Sequence, residues 1–280
     1  GQAVPQSALG AIYRTRRAVV VGDPLQVEPV VTIPKVLIDI LADSTCVANE
    51  YKVIENSAQT FADNINEFNG MIGERQVGCP LVVHRRCIEP MFSISNLISY
   101  DNRMFNKTNK KEEYLKPENP FLIKKSGWIN VEGVENGGKD HFVKNQAERV
   151  CQLMEDAVHI YSDLFETDDK IFIITPFRTV AESMRKFIIS YFSAKGYDKE
   201  ILSKWTKNCV GTVHTFQGKD ANEVLLVLGC SNKSAGAMNW VVKKANILNV
   251  ACTRAKYRIA FIGNINDWKN RLTIKSQVSK

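Results

Sequence analysis

The sequence predicts an α/β fold with a mostly parallel sheet and helices on both faces. Two largely apolar stretches, at 171–174 and 223–228, indicate buried strands. Helical patterns lie on either side of the first run, over 143–165 and from 176 to 192. Strands that alternate with helices along a chain are typical of a parallel sheet, because the helices connect neighbouring strands.

The composition sets broad limits on size and partners. The 280 residues suit one large or two ordinary domains, and 44% hydrophobic content is enough for a sizeable core. Lysine and arginine total 37 against 30 acidic residues. The net charge of +7 is compatible with a polyanionic partner, but it is also common in proteins that bind none.

Membrane and secretory segments are not indicated. The chain has no run of eighteen apolar residues, and its start lacks a charged region followed by an apolar block. The 7 cysteines lie mostly within apolar runs, which favours reduced thiols and a cytoplasmic protein. Cys79, His84 and Cys87 come close to metal-ligand spacing, but they include no Cys-x-x-Cys pair and no fourth ligand, so no metal site is predicted.

The first elements along the chain are an amphipathic segment at 7–16 and a short buried strand at 18–21. The strand leads into Gly-Asp-Pro-Leu-Gln-Val-Glu-Pro at 22–29. Within this loop the amide of Gln26 can donate a hydrogen bond to a phosphate oxygen and accept one from water. A plain turn at the end of a strand is the alternative for this stretch.

The next elements are expected to be packing helices within 33–43 and 57–72, followed by a strand candidate at 81–83. That strand delivers the basic sequence 84–86 to a helical segment at 91–100. A basic strand end without a function is the alternative here.

Two basic stretches of the second half are weaker candidates for contact with nucleic acid. The lysine-rich stretch 106–120 is predicted to be a surface loop, and a solvated charge run explains it better than a binding site. Strand candidates follow it at 121–123 and 128–131. The stretch 195–207 is the better candidate, because the ring of Trp205 could stack on a base.

The stretch 211–228 places a polar turn between two apolar strands. Hydroxyls, an imidazole, a glycine and a carboxylate lie in this turn, at Thr212, His214, Gly218 and Asp220. Loops that follow strand ends are where open α/β sheets bind ligands, so the turn is a candidate site. A surface turn in which Gly218 supplies a positive φ is the alternative.

The stretch 246–263 is predicted to be a helix that leads into a strand. On a helical wheel Asn246, Asn249 and Thr253 share one arc, opposite an apolar arc, and Arg254 lies at the border between them. The apolar arc is expected to pack and the polar arc to be able to bind. A solvated face that carries an incidental arginine is the alternative.

Together these stretches resemble motifs of superfamily 1 helicases, in particular the branch that includes the nonsense-mediated-decay RNA helicase and related bacterial proteins. His-Thr-Phe-Gln-Gly-Lys-Asp at 214–220 resembles motif V, and Asn-Val-Ala-Cys-Thr-Arg-Ala-Lys at 249–256 resembles motif VI. The loop at 22–29 resembles motif III, with Val27 where the family usually has leucine, and 84–90 resembles motif IV. We therefore expect a member of this family, from a bacterium.

The resemblance implies a RecA-like P-loop NTPase fold in two parts. Residues 1–44 would be a remnant of the first RecA-like domain, including motif III, and residues 45–280 would be the second domain. ATP and Mg²⁺ would bind between two such domains, and single-stranded DNA or RNA would bind across them. The site residues that it implies are the catalytic Gln26, Arg86 and Arg254, the nucleotide-binding Asp23, Gly218 and Asp220, and the nucleic-acid-binding Thr175, Thr212 and His214.

The implied roles divide the chemistry among these side chains. Arg86 and Arg254 would contact the γ-phosphate, and Gln26 would sense that phosphate or the attacking water. Gly218 would let the backbone approach the nucleotide. Asp220 would reach the ribose, although it is shorter by one methylene than the glutamate that the family more often has there.

Two motifs of a complete helicase are absent from the sequence. It contains no Gly-x-x-x-x-Gly-Lys followed by Ser or Thr, and no Asp-Glu pair precedes the loop at 22–29. The chain alone is therefore expected not to hydrolyse ATP, and the Mg²⁺ ligands would lie in the missing N-terminal RecA-like domain. We expect the C-terminal part of an ATP-dependent helicase or translocase. The alternative is a pseudo-helicase module that binds nucleic acid or a protein without turnover.

Overall fold

The computed structural model describes residues 3–26, 28–29, 31–48, 51–52, 56–73, 75–108, 120–137, 140–216, 218–269 and 271. These residues form two compact units. The N-terminal unit comprises Gly1–Val82 and Ser99–Met104, and the sheet unit comprises Val83–Ile98 and Phe105–Lys280. The predicted boundary at residue 45 falls inside the N-terminal unit, and the assignment of residues 1–44 and 45–280 to two RecA-like domains stays a prediction.

The described residues of the N-terminal unit form three helices and one hairpin. The helices are α1 (Pro5–Tyr13), α2 (Lys35–Ser44) and α3 (Ala58–Ile65), and the hairpin pairs β1 (Gly70–Ile72) with β2 (Arg75–Val77). The two predicted helices are therefore present, but the second ends at Ile65. Ser57 and Thr60 form a capping box that starts α3, since each side chain accepts a hydrogen bond from the other residue's backbone N–H.

The strand predicted at 18–21 is wrong. This stretch has no regular secondary structure, and the side chains of Val19 and Val21 are 89% and 83% exposed. A run of valines has the composition of a buried strand, but a strand also needs a partner for its backbone groups. Among the described residues, no strand pairs with 18–21.

The sheet unit is built on five parallel strands, which confirms the predicted α/β class and is consistent with a RecA-like P-loop fold. In chain order the strands are β5 (Gly127–Asn130), β6 (Ile171–Thr175), β7 (Val210–Thr212), β8 (Ala221–Val227) and β9 (Ala255–Gly263). Their order in the sheet is β5-β9-β8-β6-β7. A separate parallel pair joins β3 (Val83–His84) to β4 (Phe105–Asn106).

Helices flank this sheet and supply most of the remaining core. They are α4 (Met91–Ser99), α5 (Lys144–Ile160), α6 (Arg178–Ser193), α7 (Lys199–Cys209), α8 (Ala235–Lys243) and α9 (Ala245–Arg254). Every residue of β6 is buried, as expected for a parallel strand that is covered on both faces. No helix in the described part of the chain is both long and apolar enough to cross a membrane.

The expectation that Trp205 could stack on a base is wrong. Its side chain is only 3% exposed and packs edge-to-face against Phe165, with ring centroids 5.2 Å apart. Leu202, Trp205 and Cys209 repeat at helical spacing on the buried face of α7. The tryptophan therefore belongs to the core. Most of the lysine-rich stretch 106–120, namely 109–119, lies outside the described residues.

The strand predicted at 121–123 is wrong, because these residues form no strand. Their backbone is held instead by a buried side chain, in an arrangement that we call the Glu223 anchor. The backbone N–H groups of Leu122 and Ile123 donate to the buried carboxylate of Glu223 on β8, over 2.9 and 2.6 Å. The hydroxyl of Tyr161 donates to the same carboxylate over 2.6 Å. Burial raises the pKa of Glu223, whereas these three donors act to lower it.

We predict that Glu223→Gln destabilises the sheet unit by about 2–3 kcal/mol, because the amide turns a donor toward N–H groups that need an acceptor. Urea unfolding should show a lower midpoint with an unchanged slope. Tyr161→Phe removes one of the three donors and should cost about 1 kcal/mol. Equal losses for the two variants would contradict the assignment of Glu223 as the centre of this anchor.

Candidate functional site

The candidate residues of the sheet unit lie at two opposite edges of the parallel sheet. Thr175 and Thr212 end β6 and β7 and are paired partners at the carboxyl edge. Asp220 and Arg254 immediately precede β8 and β9, whose first residues Ala221 and Ala255 are paired at the amino edge. Since β8 rises about 3.3 Å per residue, the two edges are on the order of 20 Å apart.

The segment 213–220 connects these two edges. It starts as a 3₁₀ helix, Val213–Phe216, whose Phe216 ring packs on Phe172 with centroids 4.4 Å apart. Gly218 follows with φ of +85°, so the positive φ expected of this glycine is confirmed. A Cβ added at Gly218 would meet nothing within 4 Å, so the turn also has open space beside it.

Three charged side chains meet next to this turn, and we call them the amino-edge cluster: Arg86, Asp220 and Lys256. The Lys256 ammonium lies 2.8 Å from Asp220 Oδ1, and Arg86 Nε lies 3.9 Å from Asp220 Oδ2. The three side chains are 37%, 34% and 22% exposed for Arg86, Asp220 and Lys256 respectively. Two cations share one carboxylate, so the cluster carries a net positive charge that is open to solvent.

The loop that carries Arg86 is fixed on both sides. The Cys87 N–H donates to Nε2 of His84 over 2.9 Å, and the Ile88 N–H donates to the carbonyl of Lys256 over 3.2 Å. Burial first and Arg86 second lower the pKa of His84, which keeps its ring neutral and able to accept. Burial raises the pKa of the Cys87 thiol to about 12. The loop that carries Arg86 is therefore hydrogen-bonded, through Ile88, to Lys256 near the start of β9.

Arg254 is placed differently from the expectation, because its side chain is completely buried. Its Nε donates to the carbonyl of Val250 over 3.1 Å. Its Nη1 donates to the carbonyls of Phe216 and Lys219 over 3.2 and 2.9 Å. The guanidinium thus fastens helix α9 to the turn that carries Gly218 and Asp220.

Two of the three residues of the polar arc of α9, Asn249 and Thr253, are buried as well, while Asn246 is half-buried. The expectation of a polar face that is free to bind is corrected for these two residues. Asn249 accepts a 2.5 Å hydrogen bond from Ser95 of α4. Thr253 donates to the carbonyl of Asn249 over 2.9 Å. The helical wheel grouped the residues correctly, but these polar side chains find internal partners instead of water.

The carboxyl edge presents less chemistry. Thr175 is buried, and its hydroxyl accepts from the Phe177 N–H over 3.4 Å. Thr212 is half-buried and its hydroxyl lies 3.3 Å from that of Thr215. His214 is exposed. Thr212 and His214 are thus the two expected nucleic-acid residues whose side chains are accessible in the sheet unit.

In the N-terminal unit the structure brings Asp23 and Gln26 together. The Gln26 amide donates to Asp23 Oδ2 over 2.8 Å, and the hydroxyl of Tyr100 donates to the same oxygen. The Leu25 N–H donates to Asp23 Oδ1 over 2.9 Å. Asp23 therefore shapes its own turn and holds the side chain of Gln26.

Lys256 is the site residue that the sequence analysis missed. It closes the sequence Thr-Arg-Ala-Lys that was considered for Arg254 alone. The break in regular pairing between β8 and β9 near Ala221 and Glu223 accompanies its placement beside Asp220. A lysine two residues after Arg254, at the second position of a strand, could have been noticed from the sequence, but its partner Asp220 could not.

Comparison with known proteins gives the family. A family model described as an AAA domain matches residues 67–266, well over half of the chain. The Regulator of nonsense transcripts 1 homolog of Arabidopsis thaliana is 33% identical over 136 residues, which is 49% of this chain and 10% of that protein. The Probable helicase senataxin of Homo sapiens is 24% identical over 263 residues, which is 91% of this chain and 9% of that protein.

A third relative extends the same comparison. The DNA replication ATP-dependent helicase/nuclease DNA2 of Mus musculus is 24% identical over 291 residues, covering 93% of this chain and 24% of that protein. The chain thus spans a quarter or less of the length of these relatives. They come from a plant and from mammals, so a bacterial origin stays a prediction. The chain belongs to the AAA domain family, in a branch similar to superfamily 1 helicases.

Proposed function

We propose that this chain is part of an ATP-dependent superfamily 1 helicase or translocase and that its amino-edge cluster faces the nucleotide. The observation that carries the proposal is the meeting of Arg86 and Lys256 on Asp220, beside the open turn at Gly218. Guanidinium and ammonium groups are the side chains that bind phosphate most strongly. ATP would supply the phosphoryl group that is transferred to water, with its Mg²⁺ ligands in the other RecA-like domain.

The donor set fits this role. Arg86 offers a planar fork of donors for the γ-phosphate, while Lys256 adds a point charge that Asp220 orients. Because Asp220 already holds both cations close together, little reorganisation is needed before they meet a triphosphate. Transfer of a phosphoryl group depends mainly on positioning and charge, which this cluster would supply from across a cleft. Gln26 and Asp23 are proposed to act from the first domain.

We assign Arg254 a positioning role. It would reach a γ-phosphate only by giving up its bonds to the carbonyls of Phe216 and Lys219. Held as it is, it fixes the turn from which Asp220 and Gly218 face the nucleotide. This differs from the direct contact that the resemblance implies for Arg254, and the two roles predict different behaviour on substitution.

We further propose that single-stranded DNA or RNA lies along the carboxyl edge, near Thr212 and His214. The segment 213–220 would then join the nucleic-acid edge to the nucleotide edge, so that one short stretch feels both ligands. Two of the relatives are named for nonsense transcripts and for DNA replication, which supports a nucleic-acid substrate. The 7 free cysteines are compatible with a reducing compartment such as the cytoplasm.

We predict that Lys256→Met weakens ATP binding by about 10–100-fold in the protein that also contains the first RecA-like domain, since one charge-assisted hydrogen bond to phosphate is lost. Fluorescence titration with a non-hydrolysable ATP analogue measures this affinity. The matched control is Lys199→Met, at an exposed position in the first turn of α7. Unchanged affinity in Lys256→Met would remove the amino-edge cluster from the nucleotide site.

A second prediction concerns nucleic acid. Thr212→Ala with His214→Ala should lower the affinity for an unstructured single strand several-fold, and binding should weaken steeply as salt rises because it rests on phosphate contacts. His159→Ala is the control, since His159 is an exposed histidine at the end of α5. If both variants bound equally well, the carboxyl edge would lose its proposed partner.

A further inference from the structure

A second cluster of chemically active side chains lies at the carboxyl edge of the sheet, apart from the amino-edge cluster. Glu135, His141 and Cys230 each place one ligand-type atom so that all three atoms lie within 4.8 Å of one another. Glu135 and Cys230 are buried and His141 is half-buried. Residues 135 and 141 precede α5, and Cys230 follows β8, so the cluster joins two segments far apart in sequence.

The distance between the ligand atoms of Glu135 and His141 is close to that between two ligands of one zinc ion. His141 Nδ1 lies 3.2 Å from Glu135 Oε2. Ligand atoms on a tetrahedral zinc ion are separated by about 3.3–3.6 Å, because the bonds measure about 2.0–2.3 Å. Ser231 and Ser234 donate to the two oxygens of Glu135 over 3.2 and 2.9 Å, as outer partners that orient a ligating carboxylate.

The backbone is shaped to bring the three residues together. His141 and Cys230 both have φ of 56°, a left-handed conformation that is uncommon in residues with a Cβ. The Cys230 N–H donates to the carbonyl of His141 over 2.8 Å. A Cβ on the neighbouring Gly229 would lie 2.8 Å from that carbonyl oxygen, so only glycine permits this close approach. The positive φ at His141 and Cys230 and the glycine at 229 thus all help to bring the His141 and Cys230 segments into contact.

We propose that Glu135, His141 and Cys230 form a three-ligand binding site for a divalent transition metal of the zinc class. Carboxylate, imidazole and thiolate are all zinc ligands, whereas a thiolate disfavours Mg²⁺ and Ca²⁺. The fourth position would be taken by water. On binding, the Cys230 thiol loses its proton to the buffer and the metal joins the loop before α5 to the loop after β8. The proposal stands independently of the helicase function.

The site can be tested on the full chain with the exposed thiols removed by Cys46→Ser and Cys79→Ser. Dialysis against Zn²⁺ should leave one ion per chain. Replacement by Co²⁺ should give the charge-transfer absorption that only a cobalt–thiolate bond produces. Cys230→Ala and His141→Asn should each weaken Zn²⁺ binding by more than about 100-fold, since loss of an outer-shell partner alone costs 10–100-fold.

Two controls make the result decisive. Cys209→Ala removes a different buried cysteine and should leave the Zn²⁺ affinity unchanged. Asparagine tolerates the left-handed backbone of residue 141, so His141→Asn keeps the fold even if Cys230→Ala melts in the presence of a chelator. The proposal is overturned if the parent chain retains no metal after dialysis. It is also overturned if His141→Asn binds Zn²⁺ as tightly as the parent or if Co²⁺ shows no thiolate band.

Discussion

Replacing Arg254 with alanine is expected to lower the free energy of unfolding of the sheet unit by about 3–5 kcal/mol. The guanidinium is fully buried and donates to three backbone carbonyls, those of Val250, Phe216 and Lys219. Removal takes one donor from each of these carbonyls, although that of Phe216 keeps the Lys219 N–H and that of Val250 keeps the Thr253 hydroxyl. It also opens a cavity between α9 and the 213–220 segment. Arg254→Lys should also destabilise, because one ammonium group cannot reach all three carbonyls.

The measurement is urea unfolding followed by tryptophan fluorescence. All four tryptophans, Trp128, Trp205, Trp240 and Trp268, belong to the sheet unit, so the signal reports that unit alone. Arg86→Ala is the matched control, since its side chain is 37% exposed and a solvent-exposed ion pair contributes only about 0–1 kcal/mol. If Arg254→Ala unfolded at the parental urea concentration, the positioning role of Arg254 would be lost.

Replacing Arg86 is expected to have the largest effect on activity. In the protein that also contains the first RecA-like domain, which we call the complete protein, both Arg86→Ala and Arg86→Lys should lower ATP turnover by on the order of 10³-fold. This is the lower end of what an arginine acting across a cleft contributes. Lysine keeps the charge but not the planar fork, so it should not rescue turnover. Steady-state ATP hydrolysis with saturating single strand measures this effect.

The design separates chemistry from folding. Arg86 forms a half-exposed ion pair with Asp220, so both variants should melt within a few degrees of the parent and bind the strand normally without nucleotide. Near-parental turnover in Arg86→Lys would show that a simple positive charge is enough, and a role for the fork would be excluded. Lys199→Met again serves as the control for loss of a surface cation.

The fold class could be predicted because the central strands are buried on both faces. Almost every position of β6 and β8 is buried, and their apolar residues form continuous runs that can be recognised from the sequence alone. Edges were harder. The run at 18–21 is as apolar as a strand but pairs with no strand among the described residues. Leu122 and Ile123 donate their N–H groups to the Glu223 side chain instead of to a strand.

The residue types of the candidate site could be predicted from the sequence, but the burial of their side chains could not. Motif-like spacing singled out Arg86, Asp220 and Arg254, and the structure places all three at the amino edge of one sheet. Their exposure could not be read from the sequence, because the carbonyls that bury Arg254 lie 35 and 38 residues away along the chain. Lys256 was missed for the same reason, since its partner Asp220 is distant in sequence.

The metal cluster shows the same limit more strongly. Glu135 and Cys230 are separated by almost one hundred residues, and no spacing rule connects a glutamate, a histidine and a single cysteine. The positive φ of His141 and Cys230 likewise could not be predicted from the sequence, because neither residue is a glycine or an asparagine, the types that commonly adopt it. A site whose residues lie far apart in the sequence can be found only from the three-dimensional structure.

The account is tested most directly by comparing the affinities of a non-hydrolysable ATP analogue and of ADP for the complete protein and for Arg86→Ala. An arginine that contacts the γ-phosphate contributes to the first affinity and not to the second. We predict that the variant binds the ATP analogue at least about 10-fold more weakly and binds ADP within about twofold of the parent. Equal loss of both affinities, or loss of neither, would contradict the placement of the amino-edge cluster at the γ-phosphate.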